Sequence, residues 1–192
     1  MSMLCSLYRL TIEEAENVQN FPEAAGELLG YTPHPPRVSF LAKVLGKSPK
    51  EVPSSSRKLQ PVGEEDTFNL NQAWHILHYL FTGGTEEGKW PATFIMSGGQ
   101  EVGPDLGHGA PRLLTSEQSK EVAAFLDAQT FQSLEAAYCI HDIEAAQVYW
   151  KASSDPAERQ RQLGELWIVV QGLRNFIGQL AQTGNLALVH VY

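Results

Sequence analysis

Cysteine is scarce in this chain. Two, Cys5 and Cys139, stand in 192 residues, far apart and in no CxxC or zinc-type spacing. That excludes a disulfide-stapled scaffold and the common structural zinc folds, and it predicts reduced thiols. Basic charge is scarce too: 14 Lys and Arg stand against 22 Asp and Glu, a formal net charge of −8. Phosphate contacts are made mainly by Lys and Arg, so a general nucleic-acid binder is excluded. No run is apolar enough to span a bilayer, and the first residues lack the basic-then-apolar pattern of a signal peptide. The expectation is a cytoplasmic protein with no membrane contact. Complete catalytic motifs are missing as well. There is no GxSxG elbow, Met96-Ser97-Gly98-Gly99 sharing only its glycines.

What is present suits one domain over residues 1–192. At 43% hydrophobic, a chain of this length buries roughly 70% of the surface its unfolded form exposes, so its core needs no covalent staples. Met3 to Leu10 reads as a strand. Thr11 with Glu14 three residues on forms a capping box for a helix carrying Ile12, Ala15 and Val18, and a short second helix over Glu23 to Leu29 closes at Gly30. From about 31 to 66 the composition shifts. Pro33, Pro35, Pro36, Pro49, Pro53, Pro61 and the Ser54–Ser56 run leave only Val38 to Leu45 looking helical. Arg37, Lys43, Lys47, Lys50, Arg57 and Lys58 also fall there, which fits either a solvated excursion over the core or a basic docking segment.

A helix over Leu70 to Phe81 follows, capped by Asp66 or Asn69 and stopped by Gly83-Gly84, with Leu70, Trp74, Leu77 and Phe81 as its apolar stripe. Pro91 to Ser97 reads as a strand, and Arg112 to Leu114 as an extended segment. Thr115 with Gln118 opens another helix, and Phe131 to Trp150 is helical in period with a break near His141-Asp142. Asp155-Pro156 gives an N-cap with proline at the first helical position. Leu163, Leu166, Trp167, Val170, Leu173, Ile177 and Leu180 then sustain a long helix to Gly184, and Asn185 to Tyr192 is a terminal strand. Strands at both ends with helices between them predict an α+β domain with the two end strands in one sheet.

Three segments bear on chemistry. Gly83 to Trp90 nearly satisfies GxxxxGK[ST], but Trp90 replaces the hydroxyl a magnesium ion needs, Glu86 and Glu87 would repel phosphates, and the segment follows a helix instead of a strand. His75 and His78 lie three apart on a helix, a spacing that can supply two metal ligands but not a complete site. Third ligands would have to come from Glu101, Asp105, His108 or His141-Asp142. The structural alternative is a half-buried His78 donating a hydrogen bond, with His75 at the surface. Gly98 to Gly109 holds five glycines, which implies positive-φ turns or close backbone approach, and Arg112 follows. Loop amides, a guanidinium and the helix N-terminus at Thr115 could together take an anion. Alternatively Arg112 pairs with an acidic side chain to fix the loop.

Trp74-His75-Ile76-Leu77-His78-Tyr79-Leu80-Phe81-Thr82-Gly83 resembles the W-H-x-L-H-x-L-x-T-G signature of the YfbM-like family of uncharacterised bacterial proteins. Gly98-Gly99 followed by Asp105-Leu106-Gly107-His108-Gly109-Ala110-Pro111-Arg112-Leu113-Leu114-Thr115 is similar to that family's G-G…D-L-G-Y-G-P-A-R-x-L-[ST] stretch. The opening Met-x-Met-x-x-x-Leu-Tyr-Arg-Leu and the closing helix and strand fit the same pattern. His108 stands in place of the expected tyrosine, and Ala110-Pro111 inverts the usual order. The resemblance implies an α+β fold with a mixed sheet and packed helices; it implies no activity.

These observations favour a non-catalytic binding or interaction protein. Its candidate ligand-binding residues are Trp74, His75, His78, Asp105, His108 and Arg112, facing a protein or small-molecule partner and needing no cofactor. The alternative is a hydrolase using His75, His78 and Asp105, by acid and base or on zinc or another transition metal, and it requires the three to converge. A third expectation is structural: His78 and Arg112 lock the helix against the loop.

Overall fold

The computed structural model describes residues 3–31 and 59–192. Its sheet is built around the two strands that lie farthest apart in sequence. Strand β1 (Cys5–Leu10) pairs antiparallel with β5 (Leu186–Val191), from Cys5 opposite Val191 to Leu10 opposite Leu186. On the other side of β1 runs β2 (Thr67–Asn71); on the other side of β5 runs β4 (Arg112–Leu114), with β3 (Gln100–Glu101) outermost. All four pairings are antiparallel. The α+β class holds, but the mixed sheet that the family resemblance implied is corrected. A parallel pair needs a long crossover that returns the chain in the same direction, and no described pairing is built that way.

Side chains alternate across the central strands, so each feeds two cores. Cys5 and Leu7 of β1, with Ala187 and Val189 of β5, face the larger core, which four helices cover. These are α3 (Ala73–Thr82), α4 (Ser116–Asp127), α5 (Phe131–Ala137) and α7 (Pro156–Thr183). Leu10 and Leu188 face a smaller cluster under α1 (Ile12–Asn20) and α2 (Ala24–Leu28). The helix ends follow their sequence signals. Thr11 with Glu14 and Thr115 with Gln118 both make reciprocal capping boxes. Asp155 caps α7 through Glu158 N at 2.8 Å, and Gly184 ends it in the left-handed region at φ 75°.

Several boundaries differ from the sequence expectation. Residues 67–71 are strand, so α3 begins at Ala73 after an uncapped Gln72. The exposed edge of β1 recruits these residues, and Asn69, instead of capping, accepts a hydrogen bond from Ser6 Oγ at 2.6 Å. Residues 91–97 form turns and no strand, burying Phe94 and Ile95 completely. The break in the 131–150 helix comes at Tyr138-Cys139, before α6 (Ile140–Ala145). There the buried Tyr138 ring turns inward to donate to Gln162 Oε1 at 2.6 Å. The part of the proline-rich excursion that is described is packed: Leu59 and Val62 join the smaller cluster. The helix expected over 38–45 and the basic residues from Arg37 to Lys58 lie outside the described residues.

Candidate functional site

Strand β2 delivers the chain to the top of α3, and the helix drops Trp74 into the larger core, where it is only 2% exposed. Its indole Nε1–H donates to the Met3 carbonyl at 3.2 Å, so the ring is fixed to the start of the chain. His75 stacks on the Trp74 ring at 4.8 Å and 18°. Beside this pair opens a cavity of about 280 Å³. Trp74, His75, Val189 and Val191 line it from the helix and sheet, Thr85, Glu86 and Met96 from the loops after α3, and His108, Ala110 and Arg112 from the glycine-rich loop and β4. Met3 completes the wall. Trp74 and Val189 are buried, Arg112 is half-buried, and Glu86 and His108 are exposed at the rim.

His75 is held from two sides. The Tyr149 amide donates to its Nδ1 at 2.9 Å, so in the neutral ring the proton sits on Nε2. Burial lowers its pKa below the ordinary value, opposed by the Thr85 backbone and the Glu86 carboxylate. His75 is therefore a neutral, oriented imidazole at pH 7, with its Nδ1 lone pair already used.

Arg112 holds the loops. Its Nη1 donates to the Gly98 carbonyl at 2.8 Å and its Nη2 to the Ile95 carbonyl at 2.6 Å, with longer contacts from both to the Phe94 carbonyl at 3.4 Å. These bonds explain why residues 91–97 need no ladder: a guanidinium satisfies their carbonyls. The expected acidic partner is corrected accordingly. Among the described residues no carboxylate forms an ion pair with Arg112. The neighbouring Cys5 thiol, pushed up to about 12 by burial, stays neutral and cannot balance it.

The glycine-rich loop has the backbone its composition predicts, with Gly98, Gly99, Gly103, Gly107 and Gly109 all at positive φ. At Gly99 a side chain is also excluded by space, because an added Cβ would lie 2.7 Å from the Leu113 carbonyl oxygen. Asp105 serves the loop itself: its Oδ1 accepts from the Gly107 amide at 2.8 Å and the Gly109 amide at 3.0 Å, which lowers its pKa.

A family model described as "Domain of unknown function (DUF1877)" matches residues 1–190. The chain belongs to this family. Among solved structures, it is similar to the crystal structure of YfbM, a protein of unknown function from Escherichia coli. The TM-score is 0.63 with 11% identity, over 98% of this chain and 99% of that one. A search of curated proteins finds no match. The resemblance carried by 74–83 and 98–115 is thus borne out at the level of family and fold, and neither relative brings an activity with it.

Four of the six candidate residues, Trp74, His75, His108 and Arg112, meet around the cavity; His78 and Asp105 do not line it. His78 is fully buried beneath, not at a rim, and neither ring nitrogen makes a hydrogen bond of acceptable geometry. Burial, reinforced by His75 and Arg112 and opposed by the nearby Glu87 backbone, lowers its pKa to about 4. The expected hydrogen bond from His78 is absent because the apolar stripe of α3 surrounds it. The convergence that the hydrolase alternative needs is likewise not built. His75 lines the cavity, His78 is sealed below it, and Asp105 is occupied by loop amides. Among the described residues no three His, Cys, Asp or Glu side chains gather to hold a metal ion. The sequence reading missed Met3, Thr85, Glu86, Met96, Ala110, Val189 and Val191. Of these only Thr85 and Glu86 carried a signal, through the imperfect phosphate-loop pattern.

Proposed function

We propose that this protein is a non-catalytic binding protein that takes a small molecule into the Trp74–Arg112 cavity. One observation carries the reading: an aromatic floor, an oriented neutral imidazole and a guanidinium without a carboxylate partner converge on one concave, largely apolar space. Few convergent polar groups in an apolar cleft is the usual anatomy of small-ligand sites, and about 280 Å³ lies at the small end of their range. A concave site of this size favours a small molecule over a protein partner. His78 and Asp105 serve as support, one behind the helix and one within the loop.

The reading includes a bacterial, cytoplasmic setting. The two cysteines are unpaired, and among the described residues no helix is long and apolar enough to cross a membrane. The test is a ligand-detected NMR fragment screen of the wild-type chain against Ala110→Phe, which fills the cavity from the loop. Fragments that bind the wild type should lose binding in a folded Ala110→Phe protein. An empty screen, or fragments that bind both proteins equally, would defeat the proposal.

A further inference from the structure

We infer that the cavity selects a small monocarboxylate with a compact apolar body, an assignment that rests on the cavity being a binding site. The family expectation offered three anion-binding elements, and two of them are used up. The Gly107 and Gly109 amides are occupied by Asp105, and the N-terminus of α4 is closed by the Thr115–Gln118 box. Arg112 remains. Its two terminal nitrogens are anchored on backbone carbonyls, so the guanidinium is fixed in place, yet its Nε–H makes no hydrogen bond to any described residue.

Cations this enclosed are normally paired, because removing one from water costs several kcal/mol unless an anion or dense hydrogen bonding offsets it. Carbonyl dipoles solvate Arg112 but leave its unit charge unbalanced at the cavity wall. A carboxylate entering the cavity supplies the missing charge and an acceptor for Nε–H, and His108 stands at the rim on the same side of the chain. The charge count sets the class of anion. One fixed guanidinium faces one exposed carboxylate, Glu86, across a lining that is otherwise apolar. A phosphate dianion would meet that carboxylate with a single cation and no free loop amides to spread its charge. A monocarboxylate is neutralised by Arg112 alone, and its apolar body rests on Trp74, Met96, Val189 and Val191.

The experiment titrates phenylacetate and isovalerate, their neutral amides phenylacetamide and isovaleramide, and inorganic phosphate into the unaltered chain. Calorimetry and the methyl resonances of Val189 and Val191 are followed. A charge-assisted bond to a fixed guanidinium should make each acid bind at least about tenfold more tightly than its amide. Arg112→Gln should erase that ratio. Because Arg112 also holds the loops, the acid-to-amide ratio is read first on the wild type and stands if the variant does not fold. Glu86→Gln, at the exposed rim, should tighten the acids more than the amides. Amides that bind as well as their acids overturn the assignment and leave the cavity reading intact. Phosphate binding more tightly than either acid, or no acid binding at all, also overturns it. The cavity reading itself is decided separately by the Ala110→Phe screen.

Discussion

Acid should unfold this protein earlier than its carboxylates alone would dictate. Two imidazoles, His78 on α3 and His190 on β5, are 0% and 1% exposed, and none of their four ring nitrogens has a hydrogen-bond partner. Burial holds both pKa values down to about 4, helped at His78 by His75 and Arg112 and at His190 by His108. His190 is packed between the rings of Tyr31 at 5.9 Å and Tyr192 at 5.2 Å. In the unfolded chain each imidazole takes a proton near its ordinary value of 6.5, whereas in the folded chain it stays neutral until about pH 4. Between those values the unfolded state binds more protons, so stability falls as pH falls. Each ring contributes about 1.4 kcal/mol per pH unit in that window. Going from pH 7.5 to pH 5 therefore removes about 2 kcal/mol per ring and about 4 kcal/mol for the pair, a large part of the ~5–15 kcal/mol of a typical domain. His75, whose pKa is also lowered, adds to the slope with the same sign. The assay is urea unfolding followed by tryptophan fluorescence at pH 7.5, 6 and 5, above the range in which the carboxylates titrate. His78→Leu should lose about 2 kcal/mol less than the wild type across this span while differing little from it at pH 7.5, since an apolar side chain leaves no orphaned nitrogen. Parallel pH profiles for wild type and His78→Leu would refute the reasoning, as would a wild-type profile that is flat from pH 7.5 to 5.

Three other perturbations test the scaffold around the cavity. Arg112→Lys keeps the charge but cannot reach the Ile95 and Gly98 carbonyls together, so thermal unfolding should show a loss of about 2–4 kcal/mol; an unchanged melting temperature would remove Arg112 from its structural role. Gly99→Ala combines φ 78° with a Cβ 2.7 Å from the Leu113 oxygen, and should cost at least about 2 kcal/mol in chemical denaturation. A smaller loss would mean that the loop shifts cheaply. Thr115→Ala opens the capping box of α4 and should cost about 1 kcal/mol, read as a lower urea midpoint at constant m-value.

The fold was most legible where a local signal had no competitor. Thr11, Thr115, Asp155 and Gly184 each act within one turn of the chain, and each marks a helix end in the structure. The errors fall where a distant partner decides. Leu70 fits the helical spacing with Trp74 and Leu77, yet it belongs to β2 because β1 offers an edge some sixty residues earlier in the chain. Thr93, Phe94 and Ile95 are strand-compatible residues, but their backbone is satisfied by a side chain from Arg112 and not by a ladder. Within the site, spacing put His75 and His78 on neighbouring ground but could not say which one would face the sheet. A rotation of about 60° between positions i and i+3 is enough to line a cavity with one and seal the other in the core. Val189 and Val191 were readable as strand residues, but their place in the cavity depends on β5 pairing with both β1 and β4.

The order in which the chain is made bears on the sheet's central pair. Ser6 and Tyr192, joined side chain to side chain at its end, are separated by 186 positions in the sequence. During synthesis β1 leaves the ribosome first and must wait for nearly the whole polypeptide before β5 can close against it, with both of its edges unsatisfied unless β2 reaches one of them. Helix α7, the last element before β5, has by then been made in full. The late strand thus completes two cores and the cavity wall in one event, and the most exposed interval in the life of this protein falls just before Leu186 emerges.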